Sequence, residues 1–355
     1  MPDVLTITRP DDWHVHFRDG PTMAACLPET ARVFGRAIAM PNLSRIVATT
    51  AEAEAYRERL RAARPPGSGF EPLMTCYLTD GTDPADVRRG FEAGVFTALK
   101  YYPAHATTNA EAGVTDLARI DRVLATAEAI GMPLLMHGEE VDPAIDIFDR
   151  EAVFVERRLG PLTGRFPGLR IVMEHLTTAV AVDFVRAHAP QVAGTITPHH
   201  CEITRTDVLG HGLRPDLYCM PVAKTERDRL AVRAAAVSGE PCFFLGTDSA
   251  PHPLARKLAL PGAAGIFSAP VALEIYAGIF DDAGALDRLD AFASLNGPRH
   301  YGLPPNPGTV TLAREEWTVP TTLAVDGAED RIPVYRGGER LAWRVTAVEA
   351  GRSGA

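Results

Sequence analysis

The sequence predicts an α/β protein built as a (β/α)8 barrel, with a small C-terminal extension packed on it. Three observations carry that expectation. Eight short apolar runs alternate with longer segments of helical character, the pattern of β/α units around a parallel sheet. They fit within about 250 residues, the usual size of such a barrel. The polar residues best suited to chemistry stand at the C-terminal ends of those runs, where barrel active sites are built. Counting alone also admits one open doubly wound sheet.

In order, the apolar runs are residues 13–16, 36–40, 73–78, 97–100, 134–137, 171–174, 192–197 and 243–246. Helices are expected between them, among others over 50–64, 84–93, 116–130, 179–188 and 226–238. Within 116–130, Leu117, Ile120, Leu124, Ala127 and Ile130 recur at three- and four-residue steps, which makes one apolar stripe to lay on the sheet. Gly131 and Pro133 punctuate its end. A short flexible loop is expected at 65–69, and there is no internal repeat or low-complexity segment. Beyond Asn296, Pro298, Pro304, Pro305 and Pro307 break the pattern, leaving short β-prone runs at 323–325 and 332–335. Residues 1–300 are thus expected to form the barrel, and 301–355 an extension of it rather than an independent domain.

The 355 residues are 46% hydrophobic, enough to bury a large core. A net charge of -9 gives no general attraction to nucleic acid or anionic lipid. The first residues lack the apolar region of a signal peptide, and no run approaches the ~20 residues needed to span a bilayer. A cytoplasmic protein is expected. Cys26, Cys76, Cys201, Cys219 and Cys242 form no C-x-x-C pair, so they are read as buried, reduced thiols.

Chemistry collects first in Asp12-Trp13-His14-Val15-His16-Phe17-Arg18-Asp19. On an extended segment His14 and His16 share one face, with Trp13, Val15 and Phe17 on the other. Two imidazoles then converge, as a metal site requires. Asn42 follows the second run, Lys100 ends the fourth, His137 the fifth, His175 stands at the end of the sixth, and Asp248 follows the eighth. One histidine at a strand end is ordinarily structural. Four histidines, a lysine and an aspartate on one rim point to a metal centre.

Lys100 is the unusual member. An ammonium at the end of a buried strand, beside metal cations, is penalised. Trapping the neutral amine with carbon dioxide as a carbamate removes the difficulty, because the side chain becomes a two-oxygen anion able to bridge two metals. The other reading is a lysine reaching the rim to bind a substrate anion.

Together with Met40-Pro41-Asn42-Leu43, Lys100-Tyr101-Tyr102-Pro103, Met136-His137-Gly138-Glu139, Glu174-His175-Leu176-Thr177-Thr178 and Gly246-Thr247-Asp248-Ser249-Ala250-Pro251-His252, the N-terminal motif resembles dihydroorotase. The resemblance is to the short bacterial form within the amidohydrolase superfamily, whose members are TIM barrels. It runs from about Thr6 to about His300. It implies two zinc ions per chain: His14, His16, carbamylated Lys100 and Asp248 around the more buried one, and Lys100, His137 and His175 around the other. A hydroxide bridging the metals would be the nucleophile and Asp248 the general base and acid. Arg18, Asn42 and His252 resemble the group that binds the substrate carboxylate, and Arg18 offers the planar fork that suits one. Met220 and Ala264 resemble further substrate contacts, Met220 standing where the family's motif has leucine. Residues 102–109 resemble a mobile loop that closes over substrate, with Thr107 and Thr108 hydrogen-bonding to it.

The reaction so implied is the reversible cyclisation of N-carbamoyl-L-aspartate to L-dihydroorotate and water in pyrimidine biosynthesis, by a cytoplasmic homodimer without nucleic-acid or membrane partners. Two other readings stand beside it: another binuclear cyclic amidohydrolase of hydantoinase type, lacking the Arg18 and Asn42 clamp, and a non-catalytic scaffold. His199 and His200 follow the seventh run; on a strand they would point oppositely, so at most one faces the site. His188, His211 and His300 have no companion motif and are read as surface or packing residues.

Overall fold

Each of the eight apolar runs becomes a strand of one parallel sheet in the computed structural model, which describes residues 3–351 apart from 211 and 328. In chain order the strands are β1 (Val4–Thr8), β2 (Asp11–Val15), β3 (Arg36–Ala39), β4 (Glu71–Tyr77), β5 (Phe96–Tyr101), β6 (Leu134–Met136), β7 (Ile171–Met173), β8 (Val192–Ile196) and β9 (Phe243–Leu245). Strands β2 to β9 lie side by side in sequence order, and every neighbouring pair is parallel. The sheet closes on itself just beyond β9, where Asp248 N donates to His14 O at 2.8 Å and His16 N to Ser249 O at 2.9 Å. The open-sheet alternative is thereby excluded.

Helices Thr50–Ala62, Pro84–Glu92, Ala179–Ala187 and Glu226–Ala236 connect the strands. The first and last begin with reciprocal capping boxes, Thr49 with Glu52 and Thr225 with Asp228. The helix expected over 116–130 is divided: a 3-10 turn, Leu117–Ile120, precedes the α-helix Asp121–Ile130. Its stripe is buried as expected at Leu117, Ile120, Leu124 and Ala127, and Gly131 ends it at φ 71°, a left-handed turn that costs glycine no Cβ clash. Gly20–Val33, Ala272–Asp282 and the continuous helical stretch Arg150–Phe154, Val155–Leu159 and Gly160–Arg165 make up the rest of the outer ring.

The barrel interior is filled by one residue from each strand: Trp13, Ile38, Leu73, Ala98, Leu135, Val172, Ala193 and Phe244. Tyr301 joins that layer, stacking on Trp13 with ring centroids 4.3 Å apart. Because side chains alternate along a strand, the residues two positions on, Lys100, His137 and Glu174, reach the next layer, at the strand ends. Strand β2 departs from simple alternation. Its register to β3 passes from Asp12↔Ala37 to Val15↔Ala39, three residues against two, a bulge that resets the phase. Trp13 is therefore interior, whereas Val15 and Phe17 join the outer core, and the expectation that all three share one face is corrected.

After the barrel come β10 (Thr309–Ala313), β11 (Trp317–Thr318), β12 (Thr322–Ala324), β13 (Arg331–Pro333), β14 (Arg340–Leu341) and β15 (Arg344–Glu349). Strands β12 and β13 pair as a hairpin at the two runs expected to be β-prone. Strand β10 is flanked by β15 and by β1 from the other end of the chain, both antiparallel. All five cysteines are free and buried. Among the described residues no helix is long and apolar enough to cross a membrane.

Candidate metal centre and substrate pocket

At the C-terminal mouth of the barrel, His14 Nε2, His16 Nε2 and Asp248 Oδ1 form a triangle. Its sides are 3.3 Å between the imidazoles, 3.3 Å from His14 to Asp248 and 3.2 Å from His16 to Asp248. Ligands about 2.0–2.1 Å from a tetrahedral zinc stand about 3.3 Å from one another, so these three atoms have the spacing of a coordination face. Strained backbone carries three of the expected site residues. Asp248 has φ 45°, His175 44° and Arg18 64°, a region that costs non-glycine residues on the order of 1–3 kcal/mol and that collects at functional sites.

The second expected group is present but less tightly drawn. The His137 and His175 rings have centroids 4.8 Å apart, and His14 and His175 5.1 Å. His175 Nδ1 is buried without a hydrogen-bond partner. His137 Nε2 lies 2.8 Å from Glu139 Oε2. Lys100, wholly buried, touches the Glu174 carboxylate and lies over the Tyr102 ring, 4.5 Å from its centroid.

Burial is the first cause that holds His14, His16, His137 and His175 below the usual imidazole range, His16 at about 3. They are neutral, with lone pairs free for a metal. Burial likewise drives the Lys100 ammonium well below its ordinary value, with Asp248 acting against it. Burial alone would raise Asp248, but its contacts with His14 and His16 outweigh that and hold it well below the carboxylate range.

Beside Asp248 lies a pocket of about 20 Å³, room for roughly one water. Six of the seven expected substrate contacts line it: Arg18, Asn42, Thr107, Thr108, Met220 and Ala264. The seventh, His252, meets Arg18 instead, with Arg18 Nη2 2.8 Å from its Nε2. The pocket is small because the loop after β5 is folded in. Asn42 Nδ2 donates to Thr108 O at 2.9 Å, and Asn109 Nδ2 to Asn42 O at 2.9 Å. Ala104, Ala106 and Ala110 are buried, so the loop is better anchored by its small side chains than its composition suggested.

The amidohydrolase family model matches residues 9–315. A dihydroorotase of Sphingopyxis alaskensis is 57% identical over 345 residues, covering 97% of this chain and all of the relative. The chain belongs to the dihydroorotases of the amidohydrolase family. Two solved dihydroorotases share the fold throughout. That of Saccharomyces cerevisiae, in complex with 5-fluoroorotic acid, has a TM-score of 0.91 at 29% identity over 99% of this chain and all of that one. That of Campylobacter jejuni has a TM-score of 0.88 at 32% identity over 98% of both.

Within this dihydroorotase framework the sequence reading gave no role to several residues. Glu174 contacts Lys100 on one side and on the other places Oε1 2.9 Å from His14 Nδ1, without hydrogen-bond alignment. Asp12 accepts from Thr247 N and Oγ1 at 2.9 and 2.6 Å, tying β2 to the end of β9; burial pushes its carboxyl up to about 6. Two-residue alternation from Val172 is the signal that would have found Glu174. The adjacent pair His199 and His200 is not on a strand but in a 3-10 turn, His199–Cys201, with ring centroids 4.5 Å apart. Together with Cys219 it forms a separate cluster of ligand-type atoms. In it His200 has its nitrogens 2.8 Å from Thr197 Oγ1 and 3.1 Å from Pro221 O. His188 stacks on Phe184 and His300 packs against Phe244, while His211 lies outside the described residues.

Proposed function

We propose that this chain is a zinc-dependent dihydroorotase that reversibly cyclises N-carbamoyl-L-aspartate to L-dihydroorotate and water in cytoplasmic pyrimidine biosynthesis. The observation that carries the reading is the convergence of Arg18, Asn42, Thr107, Thr108, Met220 and Ala264 on one pocket bordered by Asp248 and His16. The yeast relative's complex with 5-fluoroorotic acid supports a ring carboxylate as the ligand class.

His14, His16, Asp248 and Lys100 would hold the more buried zinc, and Lys100, His137 and His175 the other. The spacing of the first three and the unpartnered Nδ1 of His175 fit such ions. Lys100 takes part as its carbamate: the neutral amine nitrogen bonds to the carbon of CO2 and releases one proton, leaving N6-carboxylysine. Zinc held there would supply Lewis-acid polarisation of the ring amide and a water of lowered pKa. Asp248 accepts the proton of the attacking water and passes it to the leaving ring nitrogen; for ring closure it begins protonated and the sequence reverses. Arg18 presents its guanidinium fork to the substrate carboxylate, with His252 holding it in place and Asn42 beside it. The loop bearing Thr107 and Thr108 must open to admit substrate and then excludes water.

We also propose a homodimer, supported by the apolar surface that Leu209, Leu213, Leu258 and Leu260 leave exposed. Residues 301–355 act as an extension, since their central sheet borrows β1. Formation of dihydroorotate from carbamoyl aspartate, measured with zinc content, tests the function: reversible turnover with about two zinc per chain is expected. A fully metallated protein that prefers an uncharged cyclic amide would establish the hydantoinase-type alternative. One that binds essentially no metal and turns over neither would establish the scaffold.

A further inference from the structure

Lys257 ends the short helix Leu254–Lys257 and is 3% exposed. Its ammonium has three donors, and all three go to main-chain carbonyls: Tyr218 O at 2.8 Å, Ala263 O at 3.0 Å and Gly265 O at 2.6 Å. None goes to a carboxylate. Burying a charge on carbonyls alone is costly where an apolar side chain would pack as well, and burial lowers the Lys257 pKa to about 8. What the three bonds join is specific. Ala263 and Gly265 flank Ala264, and Tyr218 stands two residues before Met220. Ala264 and Met220 line the same pocket as Arg18 and Asn42, and each resembles a substrate contact.

Two more contacts fix the same wall. Gly265 N donates to Tyr218 O at 2.9 Å, and Ala250 N to Ile266 O at 2.8 Å. A Cβ on Gly265, which sits at φ 146°, would stand 2.5 Å from Ala250 O and 3.0 Å from the His252 ring, so the wall has no slack there. Lys257 itself does not reach the pocket; it borders two larger clefts behind it.

We propose that Lys257 is a positioning residue for substrate binding, an ammonium rivet that holds the Met220 and Ala264 segments at a fixed separation. The inference rests on the assignment of those two segments as substrate contacts. Lys257→Met keeps the length of the stem and removes all three donors. Expected is a KM for dihydroorotate raised about tenfold, with kcat within about twofold and zinc content unchanged, the signature of lost uniform binding. Lys257→Arg, which restores donors in another geometry, should recover most of the loss. A Met variant with unchanged KM, whose only defect is a lower melting temperature or fewer active molecules, overturns the proposal and leaves Lys257 a structural residue. If Lys257→Met does not fold, Lys257→Gln, which keeps two donors, must show the same KM rise in smaller measure; an unchanged KM there overturns the proposal equally. Absent turnover in the wild type would instead strike the functional assignment and this inference together, whereas a normal KM in an active variant strikes this inference alone.

Discussion

Arg18 Nη2 lies 2.8 Å from His252 Nε2, and since a guanidinium only donates, that imidazole nitrogen is the acceptor and carries no proton. Burial first, then the Arg18 charge, depress His252 to about 2, so it stays a neutral acceptor at any working pH. A second bond, from Arg18 Nε to Pro251 O at 3.2 Å, fixes the fork from the same side. Arg18→Lys keeps the charge and loses this geometry. The expected outcome is a KM for dihydroorotate raised roughly ten- to a hundredfold with zinc content unchanged, the worth of a charge-assisted bond; equal KM values would remove Arg18 from the carboxylate site.

For Lys100→Ala, metal analysis should find the second ion lost and activity nearly abolished, since the carbamate's anionic oxygens would be gone while neutral His137 and His175 cannot balance the added charge. Short carboxylic acids added to the variant should partly restore turnover by filling the vacated space. Full zinc and normal turnover would sink the carbamate assignment.

In the double variant Thr107→Ala, Thr108→Ala the main-chain carbonyl that Asn42 holds is retained, so the loop keeps its seat and both metals remain. Only the hydroxyls are gone. Turnover should fall roughly tenfold or more, the effect of lost transition-state hydrogen bonds; rates equal to wild type for both substrates would make the loop a bystander.

His300 supplies a pH dependence that has no part in catalysis. Burial first, and then Arg170, lower its pKa from 6.5 to about 4. Protons therefore prefer the unfolded chain. The stabilisation is complete above pH 6.5 and is lost as pH falls toward 4, to an extent of at most about 3 kcal/mol. Denaturant unfolding of wild type and His300→Gln between pH 7 and pH 4 should show a shallower acid decline in the variant; parallel curves would refute the assignment.

The eight barrel strands were legible in the sequence because each holds a short apolar run, and His16, Lys100, His137, Glu174 and Thr197 mark the ends of five of them. Strand boundaries agree within two residues at every one. Helix Ala272–Asp282 was invisible for the opposite reason: even its Glu274 and Asp281 are buried, so no polar face marks a period. Glu174 is masked in the sequence by the adjacent His175, although its two-residue spacing from Val172 puts both on one side of β7. The bulge in β2 left no trace in residue type, and only the register to β3 exposes it.

Strand β1 pairs with β10 over five residues, from Val4↔Ala313 to Thr8↔Thr309, and Thr6 Oγ1 meets Thr311 Oγ1 at 2.9 Å across 305 positions of chain. On the ribosome β1 therefore emerges with its hydrogen-bonding edge and the apolar row of Leu5 and Ile7 unmatched. It must wait for the entire barrel to be synthesised, about 15 to 60 seconds at ordinary elongation rates, before its partner exists. Strand β1, made before the barrel, is among the last to be secured, and until then it is an open β edge that a second nascent chain can capture.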